Sequence, residues 1–328
     1  MILQLAAAFA VSAVVTAIAG LWLVPALRKL KAGQMIRQDG PVWHNNKQGT
    51  PTMGGIMFIA GILVSCLTVG IISMRRGDFS HILVFSFALV YGLIGFIDDY
   101  QKLKRKENLG LRAKQKFVLQ LLIAAIFLFF LHQAGYFSTV LYIPFVHANI
   151  NIPAVLYFIF AAFVVVGTVN AVNITDGADG LATGVSIPVS ICLMSIAMIW
   201  NFLAGGIFAA AMTGGLAAFL FFNFHPAKVF MGDIGAQFIG GAIAAMAFVM
   251  DMPLVLLPLG FVYFVETMSD IIQVTYFKLT KGKRIFKMAP IHHHFEMLGW
   301  SEYKLFTVFT SVSIIFSIIS FFGVRGRF

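Results

Sequence analysis

The chain has 328 residues, 60% of them hydrophobic and only 11% charged, where soluble domains carry about 25% charged residues. That composition excludes an ordinary soluble domain and describes an integral membrane protein. The net charge of +10 reads first as cytoplasmic loops rich in Lys and Arg and second as a basic site for an anionic ligand. Nucleic acid is excluded as a partner, because the basic residues sit in short loops between apolar runs.

Uncharged runs long enough to cross a bilayer, about 20 residues each, recur from end to end. They predict an all-α membrane protein of about ten transmembrane helices, at roughly 3–27, 53–74, 80–97, 117–135, 153–172, 180–199, 203–222, 235–250, 253–277 and 303–323. The first run lacks a basic leader and reaches Leu27, which reads as a transmembrane helix and not a cleaved signal. Loops 28–52, 98–116 and 278–302 are basic and belong in the cytoplasm. Loops 173–179 and 223–234 fall on the same side by alternation, so both termini face outward. Arg75, Arg76, Arg325 and Arg327 count against that orientation but are outnumbered. The outward loop 136–152 alternates loosely and predicts a small hairpin. Cys66 and Cys192 lie inside apolar runs and read as packing residues. Gly pairs at 205–206, 214–215 and 240–241 suit close helix approach.

The five inner loops hold more carboxylates, amides and imidazoles than turning the chain requires. In the first, Gly49-Thr50-Pro51-Thr52-Met53-Gly54-Gly55 makes a tight entry into the second span. Lys47 and Thr52 are placed to hold an anion at that helix N-terminus; a basic anchor at the headgroups reads equally well. The second follows the apolar run 79–97 with Asp98 and Asp99, then Lys102, Lys104, Arg105, Lys106, Arg112, Lys114 and Lys116. Adjacent carboxylates repel unless a cation or a shared proton lies between them, and a divalent metal with phosphate oxygens is a usual partner. The third, Asn170 to Leu181, contains two Asp-Gly turns at Asp176 and Asp179, preceded by Asn170 and Asn173. The fourth runs from Asn223 through Phe230 and Gly232 to Asp233, a lone acid that reads as a helix cap or as the third oxygen ligand of a metal site. The fifth holds His292-His293-His294-Phe295-Glu296. Successive helical residues point about 100° apart, so three consecutive His do not converge on one zinc ion. Contact with phosphate, or orientation by a carboxylate, fits them better. Upstream, Glu266, Asp270 and Gln273 share a helical face, and intramembrane ionisable residues are functional candidates by default.

Five of these segments, in this order, resemble the bacterial phospho-N-acetylmuramoyl-pentapeptide-transferases: Gly49 to Gly55, Asp98-Asp99-Tyr100, Asn173 to Leu181, Phe230-Met231-Gly232-Asp233 and Ala289 to Glu296. The resemblance covers nearly the whole chain. It implies transfer of the phospho-sugar of UDP-N-acetylmuramoyl-pentapeptide to undecaprenyl phosphate, giving lipid I and UMP, with magnesium, at the inner face of the bacterial plasma membrane. It places catalytic weight on Asp98, Asp99, Asp233 and His292, with the three Asp as metal ligands. It places substrate contacts on Lys47, Thr52, Asn173, Asp176, Asp179, Asn223, Phe230, Gly232, Gln273, His293 and His294, and less firmly on Lys114 and Lys116. Such enzymes are often described with the residue at Asp98 as general base. A phosphate monoester loses its second proton near pH 6, so the lipid phosphate is already mostly dianionic and a base has little to remove. Metal binding or orientation of that phosphate is the better reading of Asp98.

Two rival readings remain. A sibling transferase moving N-acetylglucosamine-1-phosphate to the same lipid would share the acidic motifs; the His run and segment 44–55 favour the muramoyl-pentapeptide enzyme. A transporter or flippase would use the acids as a charge path, but they gather at one face and no inverted repeat is visible. Oligomeric state, a homodimer included, is not readable from the sequence.

Overall fold

The structure is a computed structural model describing residues 1–29, 49–105, 110–136 and 138–327. The elements, in order, are α1 (Ile2–Lys29), α2 (Gly55–Thr68), α3 (Ile71–Met74), α4 (Ser80–Arg105), α5 (Ala113–Gln133), β1 (Val140–Ile143), β2 (Ala148–Asn151), α6 (Ala154–Thr175), α7 (Leu181–Ile199), α8 (Leu203–Asn223), α9 (Gly232–Val249), α10 (Leu256–Leu259), α11 (Phe261–Leu279), α12 (Ile291–Glu296) and α13 (Glu302–Val324). Among the described residues, nine helices are long and apolar enough to cross a membrane, or ten if α10 and α11 with the turn before them count as one span. The expected hairpin is present: β1 and β2 pair antiparallel with Val140 opposite Asn151.

The span expected at 253–277 is broken. The chain bends by 80° between Pro253–Leu259 and Phe261–Leu279. Pro253 and Pro258 donate no backbone hydrogen bond, and Gly260 at the junction has low helix propensity. Apolar composition is continuous through this stretch, but the helix is not.

Helix α9 is the centre of the bundle. In its apolar window 89% of residues are buried, against 28% in α1, α5 and α13. It packs along α4 and α6, and α8 packs along α1 and α7. Between membrane helices there is no hydrophobic gain over lipid, so association relies on close packing of small residues. α8 and α9 are rich in Gly and Ala. A Cβ at Gly214 would meet the Phe9 backbone, and one at Gly240 the Val169 backbone, so these positions do serve close approach. Because α9 is central, its first turn is surrounded by the ends of its neighbours, and that is where the chemistry collects.

Candidate active site

Asp98 and Asp99 lie in the last two turns of α4, and Asp233 in the first turn of α9. One oxygen from each lies within 4.8 Å of the others. The approach is made possible at Gly95, where a Cβ would overlap the Asp233 backbone. Asp99 Oδ2 accepts the backbone N–H of Ile234 at 3.2 Å, so α4 caps α9. Gly232 has φ +71°, and a Cβ there would crowd both Asp99 and Thr52. Only glycine combines that left-handed backbone with the open space.

Two ammonium groups lie among the three acids. Lys102 Nζ lies 2.6 Å from Asp98 Oδ2, 3.0 Å from Asp233 Oδ2 and 3.8 Å from Asp99 Oδ1. Lys116 Nζ lies 3.0 Å from the same Asp233 oxygen and donates to Asn173 Oδ1 at 3.3 Å. Asn173 in turn donates to Asp233 Oδ1 at 2.9 Å. Asp98 Oδ1 accepts the Leu111 N–H at 2.7 Å, tying the chain after Gly110 to the cluster. One helical turn deeper, the same three helices repeat the pattern with neutral groups. Gln120 of α5 donates to Gln237 of α9 at 3.0 Å and accepts from Asn170 of α6 at 2.8 Å. Buried amides must find partners, so this lower layer sets the relative depth of α5, α6 and α9 and hence of Lys116, Asn173 and Asp233.

The segment entering α2 is laced to the strand-like approach to α9. Phe230 N–H donates to Pro51 O, Gly54 N–H to Phe230 O and Gly55 N–H to Met231 O, at 2.8, 2.8 and 3.0 Å. Thr52 and half-buried Phe230 are thereby brought to the cluster. The Gly54 and Gly55 N–H groups are committed to carbonyl oxygens, so an anion at this helix entry would be held by side chains such as Thr52. Lys47 lies outside the described residues.

A second polar group forms around Asp179. Asp179 Oδ2 accepts the Ala227 N–H at 3.0 Å and lies 2.8 Å from His225 Nδ1, while Glu302 Oε2 accepts the Asp179 N–H at 3.0 Å. Asp179, His225 and Glu302 also bring ligand atoms within 4.8 Å of one another. Asp176 ends α6 and is half-buried. Asn223 is buried, accepting from Thr183 and donating to Val229 O at 2.7 and 3.1 Å. Gln273 is buried too, and its Oε1 accepts the N–H groups of Ile285 and Phe286. Both amides hold the loops around the site.

The three imidazoles point three ways from the short α12. His292 Nδ1 lies 2.9 Å from Glu266, His293 Nδ1 lies 2.6 Å from Glu296, and His294 Nδ1 accepts from Lys287 N–H at 3.1 Å. His292 is buried and packs on Gly177, inside the Asp176–Asp179 turn. Lys116 joins the acids, whereas exposed Lys114 makes no hydrogen bond or ion pair with them. Lys102, His225, Glu302 and Gln120 were not singled out by sequence. For Lys102 the signal was present: it stands at i+4 from Asp98 and i+3 from Asp99, within ion-pair reach on one helix.

Comparison with known proteins bears on this arrangement. Residues 81–251 match Glycosyl transferase family 4, and residues 47–59 match the phospho-N-acetylmuramoyl-pentapeptide-transferase signature 1. Curated relatives carry the name phospho-N-acetylmuramoyl-pentapeptide-transferase. That of Caldanaerobacter subterraneus subsp. tengcongensis is 45% identical over 324 residues, 99% of this chain and 100% of the relative. That of Clostridium perfringens strain 13 is 45% identical over 96% of both chains, and that of Shouchella clausii 47% over 90% of both. The chain belongs to the phospho-N-acetylmuramoyl-pentapeptide-transferase family. The family signature spans the segment laced to Phe230 and Met231, and the broader family match contains Asp98, Asp99 and Asp233 together. The signature therefore falls on the polar end of the bundle, while the broader match runs through α4 to α9 and includes all three acids.

Proposed function

We propose that this chain transfers phospho-N-acetylmuramoyl-pentapeptide from its UDP-linked donor to undecaprenyl phosphate, giving lipid I and UMP, the first membrane step of peptidoglycan synthesis. The observation that carries the reading is the convergence of Asp98, Asp99 and Asp233 with Lys102 and Lys116 at one end of an apolar bundle, in a chain of this family. One substrate is soluble and the other is lipid-anchored, so the reaction needs a charged site where bilayer meets water. The end carrying Lys102, Lys104, Arg105, Arg112, Lys116, Lys281, Lys283 and Arg284 is the cytoplasmic one on the positive-inside rule. Arg327, which counts against that orientation, is matched by Asp251 at 2.9 Å.

In the transfer, an oxygen of the lipid phosphate forms a bond to the phosphorus that carries the sugar. The bond from that phosphorus to the bridging oxygen breaks, and its electron pair leaves with UMP. A divalent ion suits the cluster, since three carboxylates offer hard oxygen ligands and a cationic ammonium already lies among them. Asp98, Asp99 and Asp233 would hold magnesium, which supplies charge neutralisation on phosphate oxygens. Lys102 and Lys116 are the groups free to exchange carboxylate partners for phosphate oxygens and so to steady the developing charge. Asp98 has both oxygens engaged, by Leu111 and Lys102, which suits holding and orienting more than proton removal. Asp176, Asp179 and Phe230 would contact the nucleotide, as the family resemblance implies, with Phe230 as a stacking surface for the base.

The test is purified protein supplied with magnesium, undecaprenyl phosphate and each UDP-sugar in turn, following UMP and lipid product. Transfer from the muramoyl-pentapeptide nucleotide is expected to be fastest. Faster transfer from UDP-N-acetylglucosamine would assign the chain the sibling reaction instead.

A further inference from the structure

Glu266 stands in α11 with no exposed surface. A carboxylate at such depth is costly unless it is partnered. Its partner is His292, 26 residues further on, whose Nδ1 lies 2.9 Å from Glu266 Oε2 and which is 1% exposed. The remaining atom of each group, Glu266 Oε1 and His292 Nε2, has no hydrogen-bond partner among the described residues. Nε2 is not directed at random. It abuts Gly177, where any Cβ would run into the ring, so the absence of a side chain at 177 is what lets the imidazole enter the turn between Asp176 and Asp179.

With Glu266 ionised, its carboxylate can only accept, and the Nδ1 facing it at 2.9 Å then carries the proton. A neutral imidazole then leaves a bare Nε2, and a second proton turns Nε2 into a donor. Without the carboxylate, the ring is free to take the other tautomer or to rotate. We propose that Glu266 is a positioning residue for the transfer reaction: it holds His292 with Nδ1 protonated and Nε2 turned to the Asp176–Asp179 turn, as the nitrogen that donates to a phosphate oxygen of the donor nucleotide. This rests on the function proposed above. When the imidazole is doubly protonated, Glu266 matches its charge, so the buried pair meets the anionic ligand without bringing a net charge of its own. A carboxylate behind an imidazole fixes tautomer and orientation in the same way in hydrolytic triads and in metal sites. Glu266 itself does not touch substrate; it acts through the ring.

The experiment uses the full-length protein labelled with 15N-histidine and the variants Glu266→Gln, Glu266→Asp, His292→Gln and the double variant Glu266→Gln/His292→Gln. In unsubstituted protein the His292 signal, identified by its loss in His292→Gln, must show the proton on Nδ1; a ring protonated on Nε2 alone overturns the proposal without any need for a Glu266 variant to fold. In folded Glu266→Gln, kcat for UMP release should fall about 100-fold, as for supporting carboxylates elsewhere, and Glu266→Asp should recover part of it. The double variant should be no slower than His292→Gln alone, within about three-fold, because residues that act as a unit are not additive. Losses that multiply, or a folded Glu266→Gln within about three-fold of the parent, would overturn it. If the parent protein releases no UMP, the proposed reaction fails, while the nitrogen spectrum still decides the role of Glu266.

Discussion

Asp233 and Asp251 stand at the two ends of α9 and meet opposite electrostatic conditions. Asp233 is in the first turn, where exposed N–H groups and the helix dipole favour negative charge. Asp251 lies two residues past Val249, about 27 Å away for an 18-residue helix, where the last carbonyls disfavour it. At the first end, two more carboxylates gather, and three acids share Lys102 and Lys116. At the other, Asp251 meets the guanidinium of Arg327. Arg327 pairs with Asp251 Oδ2 at 2.9 Å, donates to the carbonyls of Met250 and Asp251, and lies over the rings of Tyr142 and Trp200 at 4.4 and 5.7 Å. By formal charge, the first cluster sets three carboxylates against two ammonium groups, Lys102 and Lys116. The second ties the C-terminal segment, the hairpin and the end of α9 together through Arg327. On the function proposed above, the first exchanges partners and the second keeps them.

The largest effects should therefore come from the Asp233 end and appear in turnover. Asp98→Asn, Asp99→Asn and Asp233→Asn should each lower UMP release by about 10³-fold or more, the scale of losing an electrostatic stabiliser of a transition state. Melting temperature should change little, because each substitution also relieves repulsion between acids. Near-normal turnover in folded Asp233→Asn would remove it from the site. Chelation of divalent metal should abolish the same activity and leave the parent folded, since Lys102 and Lys116 remain as counter-charges; unfolding on chelation would show that these lysines do not suffice.

Lys102 sharpens the comparison. If its ammonium occupies ground that a metal ion also needs, Lys102→Gln should bind Mn²⁺ about five-fold more tightly in a metal titration, from loss of about 1 kcal/mol of competition at a hydrated site. Unchanged or weaker Mn²⁺ binding would mean that the lysine and the ion do not compete. Nothing comparable is expected from Arg327, whose removal should register in stability instead. Arg327→Ala should lower the melting temperature by a few degrees, for a loss of about 1–3 kcal/mol, with turnover within about two-fold of the parent. A large loss of turnover in that variant would mean that the Asp251 end governs the Asp233 end.

How legible these two ends were in sequence differs as well. The acids, amides and imidazoles of the active end stood out because each interrupts an otherwise uncharged run, and local order assigned them to loops at one face. Their mutual contacts were less accessible. Asp99 caps the first turn of a helix more than a hundred residues later, by accepting the Ile234 N–H, and spacing along the chain carries no trace of that. The layer of Gln120, Asn170 and Gln237 lies inside apolar runs, where single amides look incidental until three helices are set side by side. The break at Gly260 was visible as Pro258 and Gly260, yet hydrophobic length alone continues through it. Arg327 read as an isolated basic residue on the wrong side of the membrane; only tertiary structure pairs it with Asp251.

The smallest effect tests how that pair is balanced. Half-buried Asp251 has its pKa raised above the usual carboxylate range because desolvation outweighs the attraction of Arg327, and its Oδ1 has no hydrogen-bond partner among the described residues. A carboxyl group that holds its proton more tightly in the folded chain than in the unfolded chain favours folding while protonated. That advantage is lost as pH rises from the ordinary Asp value, about 4, through the raised folded value, because the folded state binds more protons in that window. Asp251→Asn has no proton to lose. The melting temperature of the parent relative to Asp251→Asn should therefore decline across the window and level off above it. A relative melting temperature that climbs with pH would mean that Arg327, and not burial, dominates at this end of α9.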